Sequence, residues 1–408
     1  MLQKIGIAEL AVGMYVVDTG LSWLEHPFLY SEEGEVRDAE ALRAIVDAGY
    51  EEVFVDTDKG GFGSARQALD GRLAAPLAEA AARGASGHPG APGRRVSLDK
   101  GLAEAGTVYR DCLHIARDVL REVQNGGAVD VRASEALVDD VIASAVENRD
   151  ALLALAKLRV HDAYTFTHGV NVAVLAVAFG SALGLPRKRL RELGLAGLFH
   201  DVGKTGVPDA VLNKPGRLTP REFALVRRHP GHGRRLLEGR GLPEAVLRGV
   251  GEHHEKKDGS GYPLGLAGRG IHPFGRILGV ADVFDALTSR RSYKEAMLPT
   301  RALGVLYGMR DRDFPGRLVE RFIKFLGPYP VGSFVRLTSG EYGFVRGANP
   351  VRPLFPELLL VLGPDGRPCP PRLLDLGERP AGEVAIAQAL DPEAYGLDGL
   401  DCLSRPAP

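Results

Sequence analysis

The feature that most restricts how this chain can fold is the stretch Glu252 to Pro263, Glu-His-His-Glu-Lys-Lys-Asp-Gly-Ser-Gly-Tyr-Pro. Two adjacent histidines close an apolar helical run in which Val246, Val250 and His253 share a face at i, i+4 and i+7. Gly259, Gly261 and Pro263 cannot continue that helix and favour a tight, shaped loop. Two imidazoles are therefore expected where a buried helix opens onto a Gly-rich rim, a position suited to metal ligands.

A chain of 408 residues is long enough for roughly two or three domains and a sizeable core. Its net charge of -1 gives no basic field for a nucleic acid polymer or an anionic membrane. Cys112, Cys369 and Cys402 are widely spaced and odd in number, which fits a reducing cytoplasm better than a disulfide framework. The N-terminus lacks a basic-then-apolar leader. The most apolar run, Val170 to Leu185, is broken by Asn171, Gly180, Ser181 and Gly184 and falls short of the ~20 residues a bilayer span needs. A soluble cytoplasmic protein with no membrane span is expected.

Residues 1–64 alternate as strands around Ile5, Ile7, Met14 to Val17 and Val53 to Val55, with a helix over Asp38 to Ala48 ending at Gly49. They carry no cluster of ligands or nucleophiles, so a small α/β module that regulates, docks or dimerises is expected. Residues 65–97 read as an Ala-rich helix and a Gly/Pro linker. Helices fill residues 98–328, with a turn at Asn125-Gly126-Gly127. Residues 329–408 alternate loosely (Phe334, Val335, Leu337, Phe344, Val345, then Leu358 to Leu362) and predict a small β element, with the last residues, Cys402 included, frayed.

Most of the histidines lie in the helical part: eight of eleven fall between His161 and His272. His168 opens the buried helix of Gly169-Val170-Asn171-Val172; by itself it reads as a satisfied core residue. The helix Arg187 to His200 ends in His200-Asp201-Val202-Gly203-Lys204, an N ligand beside an O ligand with a cation three residues on. The plain alternative there is a hydrogen-bonded His-Asp pair. Thr219-Pro220-Arg221-Glu222 is a capping box whose helix must stop at His229, since Pro230 follows. His232 competes with His229, and spacing excludes neither. Asp282 and Asp285 stand three apart among apolar residues, where an unpartnered carboxylate is costly. Arg291 and Lys294, again three apart, suit a phosphate, or simply a solvated helix end. Together the set supplies N and O ligands for two transition metals, with no thiolate among them.

These residues resemble a known family. His168, His200-Asp201 and Asp282 resemble the HD phosphohydrolase signature, and His253-His254-Glu255 with Asp258-Gly259-Ser260-Gly261-Tyr262-Pro263 resembles the HD-GYP subfamily of cyclic di-GMP phosphodiesterases. The likeness extends through Asp162-x-Tyr164-Thr165-x-x-His168, His229-Pro230-x-x-Gly233, Asp282-Val283-Phe284-Asp285-Ala286-Leu287-Thr288-Ser289 and Arg291-x-Tyr293-Lys294. It covers roughly Ala151 to Leu326, in many ordered motifs. The first residues resemble a small N-terminal domain of unknown function often placed ahead of HD-GYP domains.

The resemblance implies a mainly α fold, an HD-type helical bundle with a small α/β N-terminal domain and a β-rich C-terminal extension. It implies a dinuclear phosphodiesterase that opens cyclic di-GMP to pGpG and further to GMP; the alternative is a non-catalytic receptor or scaffold. One metal would take His168, His200, Asp201 and Asp282; the second would take Asp201 with His229, His253 and His254. Fe or Mn is favoured, with Ni or Zn behind them. Where some relatives carry a glutamate for a third metal, this chain has Tyr164, so two ions are expected. Lys204, Arg291 and Lys294 would hold phosphate oxygens, Asp285 would orient the attacking water or a ligand, and Gly261 and Pro263 would shape the pocket mouth. Tyr262 would offer a face to a guanine. The Gly-Tyr-Pro loop or the N-terminal module would meet a protein partner, and a homodimer is compatible with this plan.

Overall fold

The computed structural model describes residues 2–21, 26, 28–59, 77, 79, 98–124, 127, 130–158, 164–214, 216–289, 296–349, 351–380 and 383–405. Apart from Leu77 and Glu79, the linker expected at 65–97 lies outside them, as do Arg291 and Lys294.

The N-terminal strands β1 (Leu2–Gly6), β2 (Tyr15–Val16), β3 (Leu29–Tyr30), β4 (Gly34–Glu35) and β5 (Glu52–Asp56) form one sheet, with β5 at its centre. Helix α1 (Ala39–Asp47) crosses it, started by Asp38, whose Oδ1 accepts from the amides of Glu40 and Ala41. Ile5, Val16, Val36, Ile45, Val53 and Val55 make a small core of their own. The alternation of β1 and β5 sends Leu2 and Phe54 the other way, into the main core. The module is therefore packed onto the helices and shares their interior.

An ion cluster reinforces that junction. Lys4 Nζ lies 2.8 Å from both Glu52 and Asp313, and the Lys4 and Asp313 side chains are fully buried. Burial would push the Glu52 carboxyl up, but Lys4 and Lys256 outweigh it and hold it down to about 2, against an ordinary 4.5. Since the folded value is the lower, this stabilisation is complete above the ordinary value and disappears as pH falls through the folded one. Thermal unfolding should show Glu52→Gln melting below the wild type at neutral pH, the two converging between pH 4.5 and about 2. A gap that stays constant down to the acid limit would remove the role assigned to Glu52.

The body is helical: α2 (Leu98–Gln124), α3 (Val131–Glu147), α4 (Arg149–Leu158), α5 (Tyr164–Ala182), α6 (Arg187–Phe199), α7 (Asp209–Leu212), α8 (Pro220–Val226), α9 (His229–Leu237), α10 (Glu244–Glu252), α11 (Pro273–Thr288), α12 (Pro299–Gly308) and α13 (Gly316–Leu326). Helix α5 is buried on every side from Val170 to Phe179, as is α11 from Ile277 to Leu287, so both run through the interior. The capping box at Thr219 forms as expected. His229 corrects the sequence reading: it does not end the preceding helix but begins α9, because proline is tolerated in a first turn, where its missing N–H has no partner to lose.

At the C-terminus β6 (Phe334–Leu337), β7 (Tyr342–Gly347), β8 (Glu357–Leu362), β9 (Pro368–Asp375) and β10 (Ile386–Leu390) form a sheet in the order β10-β6-β7-β8-β9. Strand β9 sits on an edge, where its prolines cost no ladder bond. The last described residues, Cys402 included, are not frayed: α14 (Gly399–Ser404) is capped by Asp398 and buries Leu403 in the main core. Among the described residues no helix is long and apolar enough to cross a membrane.

Candidate metal centre

Seven side chains converge from five places in the sequence. His168 comes from the first turns of α5, His200 from the end of α6 with Asp201 next to it, His229 from the start of α9, His253 and His254 from the end of α10, and Asp282 from the middle of α11. They form two groups, His168–His200–Asp282 and Asp201–His229–His253–His254, each with its ligand atoms within 4.8 Å of one another. Asp201 faces both. Its Oδ2 lies 3.4 Å from His200 Nε2 and 3.8 Å from His168 Nε2, and its Oδ1 lies 3.3 Å from His229 Nε2. Asp282 spans similarly, Oδ1 at 3.0 Å from His168 Nε2 and Oδ2 at 3.9 Å from His254 Nδ1.

The backbone decides which nitrogen each ring offers. His200, His229 and His253 each place Nδ1 at 2.7–2.8 Å from the carbonyl three residues earlier, on Gly197, Val226 and Val250. A carbonyl only accepts, so each Nδ1 carries the hydrogen and each Nε2 is left as a lone pair turned inward. The Nε2 atoms of His229 and His253 then face each other at 3.3 Å, acceptor to acceptor. Buried His200 Nε2 has no hydrogen-bond partner among the described residues. Lone pairs converging in a buried space, beside carboxylates, fit a cation.

Electrostatics keeps both carboxylates ionised. Burial would raise the Asp201 carboxyl, but Lys204 and His200 outweigh it and hold it well below the usual carboxylate range. Burial would likewise raise Asp282, and His168 overrides it. His168 is lifted to about 10: burial opposes this, but Asp282 and Asp285 prevail. Burial, followed by His200 and His229, pushes His253 down to about 3, and His254 is also held well below its usual value. His253 and His254 are thus neutral, the form in which imidazole binds metal.

Two glycines bring the pieces together. A Cβ on Gly203 would lie 2.0 Å from the His229 carbonyl oxygen, so the turn after Asp201 packs backbone to backbone on the start of α9. A Cβ on Gly261 would lie 2.3–2.6 Å from the backbone of His254 to Lys256. Gly261 thus folds the loop back onto the helix end that carries the histidines, which is a packing role.

Several expected roles move. Asp285 does not face the space between the groups: its Oδ2 accepts from His168 Nδ1 at 2.7 Å and its Oδ1 from Asn171 Nδ2 at 2.9 Å. It fixes the His168 ring from behind. Tyr262 is only 6% exposed; His254 lies against it at 4.7 Å, with Phe223 at 5.8 Å, so it backs a ligand and has no open face for a guanine. Pro263 follows it across a cis peptide bond. Lys204 Nζ sits 2.6 Å from Asp201 Oδ2, at the junction of the two groups. His232 stands outside both groups, its Nδ1 on the Gly203 carbonyl at 3.0 Å. Not anticipated was the buried relay in which Tyr109 donates to Asn171 at 2.6 Å and Asn171 to Asp285. Its one sequence signal is an Asn inside an otherwise apolar helix.

Residues 139–318 match the HD domain family, and residues 2–134 match a domain of unknown function, DUF3391. The chain is 36% identical over 405 residues to the cyclic di-GMP phosphodiesterase PA4108 of Pseudomonas aeruginosa, covering 98% of this chain and 95% of that protein. It is 41% identical over 180 residues to the cyclic di-GMP phosphodiesterase response regulator RpfG of Xanthomonas campestris, covering 43% of this chain and 47% of that one. It is 39% identical over 155 residues to the 3'3'-cGAMP-specific phosphodiesterase 1 of Vibrio cholerae, covering 38% and 35% of the two chains. The chain belongs to the HD-GYP family of HD-domain phosphodiesterases, with DUF3391 ahead of its HD domain.

Proposed function

We propose that this protein hydrolyses cyclic di-GMP, opening the ring to pGpG and cleaving that further to GMP. The observation that carries the reading is Asp201, one carboxylate oxygen at each of two inward-facing imidazole groups. The near full-length likeness to a cyclic di-GMP phosphodiesterase supports the substrate class.

His168, His200, Asp201 and Asp282 would hold one divalent ion, and Asp201, His229, His253 and His254 a second. With no thiolate in the set, Fe or Mn suits it, ahead of Ni or Zn. Bound there, two such ions supply Lewis acidity and a water activated near neutral pH. The protein's own part is placement. Backbone carbonyls and Asp285 lock the rings. Lys204 sets a cation beside the shared carboxylate, where it can meet a phosphate oxygen as charge develops. Arg291 and Lys294 are assigned the other phosphate contacts. The three cysteines are free, in keeping with a reducing cytoplasm.

Protein purified anaerobically and loaded with Fe(II) or Mn(II) is expected to convert cyclic di-GMP to pGpG and GMP, read by chromatography of the products. Tight binding with no cleavage under any metal would make the chain a receptor. Faster cleavage of 3'3'-cGAMP would transfer it to the other substrate class represented among its relatives.

A further inference from the structure

The N-terminal module reaches the loop that leaves His254 by two routes, one directly from β5 to Lys256 and one from Phe28 through Phe223 of α8 to Tyr262. The first is electrostatic: Glu52 lies 3.4 Å from Lys256 Nζ, and Lys256 is also 3.8 Å from Asp313. With Lys4 this makes two cations and two anions in a largely buried cluster. The second is aromatic. The Glu51 and Glu52 amides donate to the Phe28 carbonyl at 2.8 and 3.2 Å, so Phe28 is carried by the same strand. Its ring meets Phe223 edge-on at 5.5 Å, Phe223 meets Tyr262 at 5.8 Å, and Tyr262 lies against His254 at 4.7 Å. Within the loop the Tyr262 amide donates to the His254 carbonyl at 3.2 Å, so both grips bear on one ligand.

We propose that Glu52 and Phe28 are positioning residues for the metal centre: through Lys256 and Tyr262 the N-terminal module sets where His254, and His253 before it, stand. The inference rests on the metal-dependent reading of the site and adds a regulatory input to it. The coupling is firm because a buried charge cannot lose its partner cheaply, so Lys256 follows Glu52. The loop is also tied to the segment before α13, Lys257 N donating to Asp313 O at 2.8 Å and Asp258 N to Arg312 O at 3.0 Å. A displacement of β5 relative to that segment therefore pulls on Lys256 between two anchors. The module, which holds no metal ligand of its own, becomes the handle by which a bound partner would tune the metal site.

The test reads Mn(II) affinity of the full chain, by electron paramagnetic resonance of the free ion, together with hydrogen exchange at residues 253–264. Glu52→Lys leaves three cations against one anion and is expected to weaken Mn(II) binding by about tenfold or more, with faster exchange in the loop. Adding Lys256→Glu restores two of each charge and should bring affinity back to within about threefold of wild type. Phe28→Ala keeps every charge and should shift both readouts the same way by less, so the test stands even if Glu52→Lys fails to fold. Arg301→Ala removes a docking bond to the Asp18 carbonyl, away from the loop, and should leave both readouts unchanged. Wild-type affinity and exchange in both Glu52→Lys and Phe28→Ala, or an equal loss in Arg301→Ala, would overturn the proposal. No nucleotide enters these measurements, so a wild type that failed to cleave cyclic di-GMP would sink the function and leave the clamp standing.

Discussion

Asp201→Ala is expected to lower cyclic di-GMP turnover by about a thousandfold or more, since Lewis-acid stabilisation is worth several kcal/mol and each 1.36 kcal/mol is tenfold. The size follows from its double position: no other side chain puts one oxygen beside His200 and the other beside His229 among the described residues. Its loss also removes the carboxylate 2.6 Å from Lys204 Nζ, leaving that cation to repel the one that is to bind. Asp201→Asn keeps the shape but has one oxygen, so it can serve one group only. Metal content should then fall from one ion per group in the wild type toward a single ion per chain, measured by elemental analysis beside the turnover assay. Turnover within about tenfold of wild type for Asp201→Ala would end the shared-carboxylate account.

Gly203→Ala should be nearly as damaging, without touching a ligand. The added methyl would meet the His229 carbonyl oxygen at 2.0 Å and the Gly233 amide nitrogen at 2.4 Å. Both are backbone atoms of α9, so relief requires moving the helix away from the turn that carries Asp201. Overpacking of this kind costs about 3 kcal/mol, or more when backbone is the obstacle. Lower stability in denaturant melts should therefore accompany loss of metal from the His229 group, because the same displacement separates His229 from Asp201. Gly169→Ala, one residue from His168, is the control: its nearest contact would be an ordinary 3.4 Å to the Leu198 carbonyl. It should be neutral or slightly stabilising, as alanine usually is over glycine in a helix. If both variants behaved alike, close packing at Gly203 would not be what holds the groups together.

The difference between these two glycines shows where sequence reading stops. Each stands within two residues after a histidine or aspartate of the site, and nothing in the flanking residues separates them. Only the approach of α9, from some thirty positions on, makes one indispensable. Tyr262 is similar: in sequence it is an aromatic on a loop, free to receive a base, and the packing of Phe223 and His254 buries it. The relay from Tyr109 through Asn171 to Asp285 links residues more than sixty positions apart at its first step, so the polar Asn171 in an apolar helix hints at a partner without naming it. His229 was read as the end of a helix because Pro230 follows it, yet proline is also tolerated in a first turn, and there His229 begins α9.

The sequence by itself determined what is local and periodic. The paired histidines at the close of an apolar helix, the capping box at Thr219, the carboxylate three residues from its neighbour in α11, and the N-terminal strand pattern are each written within a few consecutive residues. The ordered motifs from His168 to Asp282 carried the family with them. Only the tertiary structure decided that Asp201 turns one oxygen to each group, that Asp285 stands behind His168, and that β5 grips the loop after His254. Those depend on contacts between distant segments, and such contacts are set by how whole helices and strands bury their apolar faces against one another.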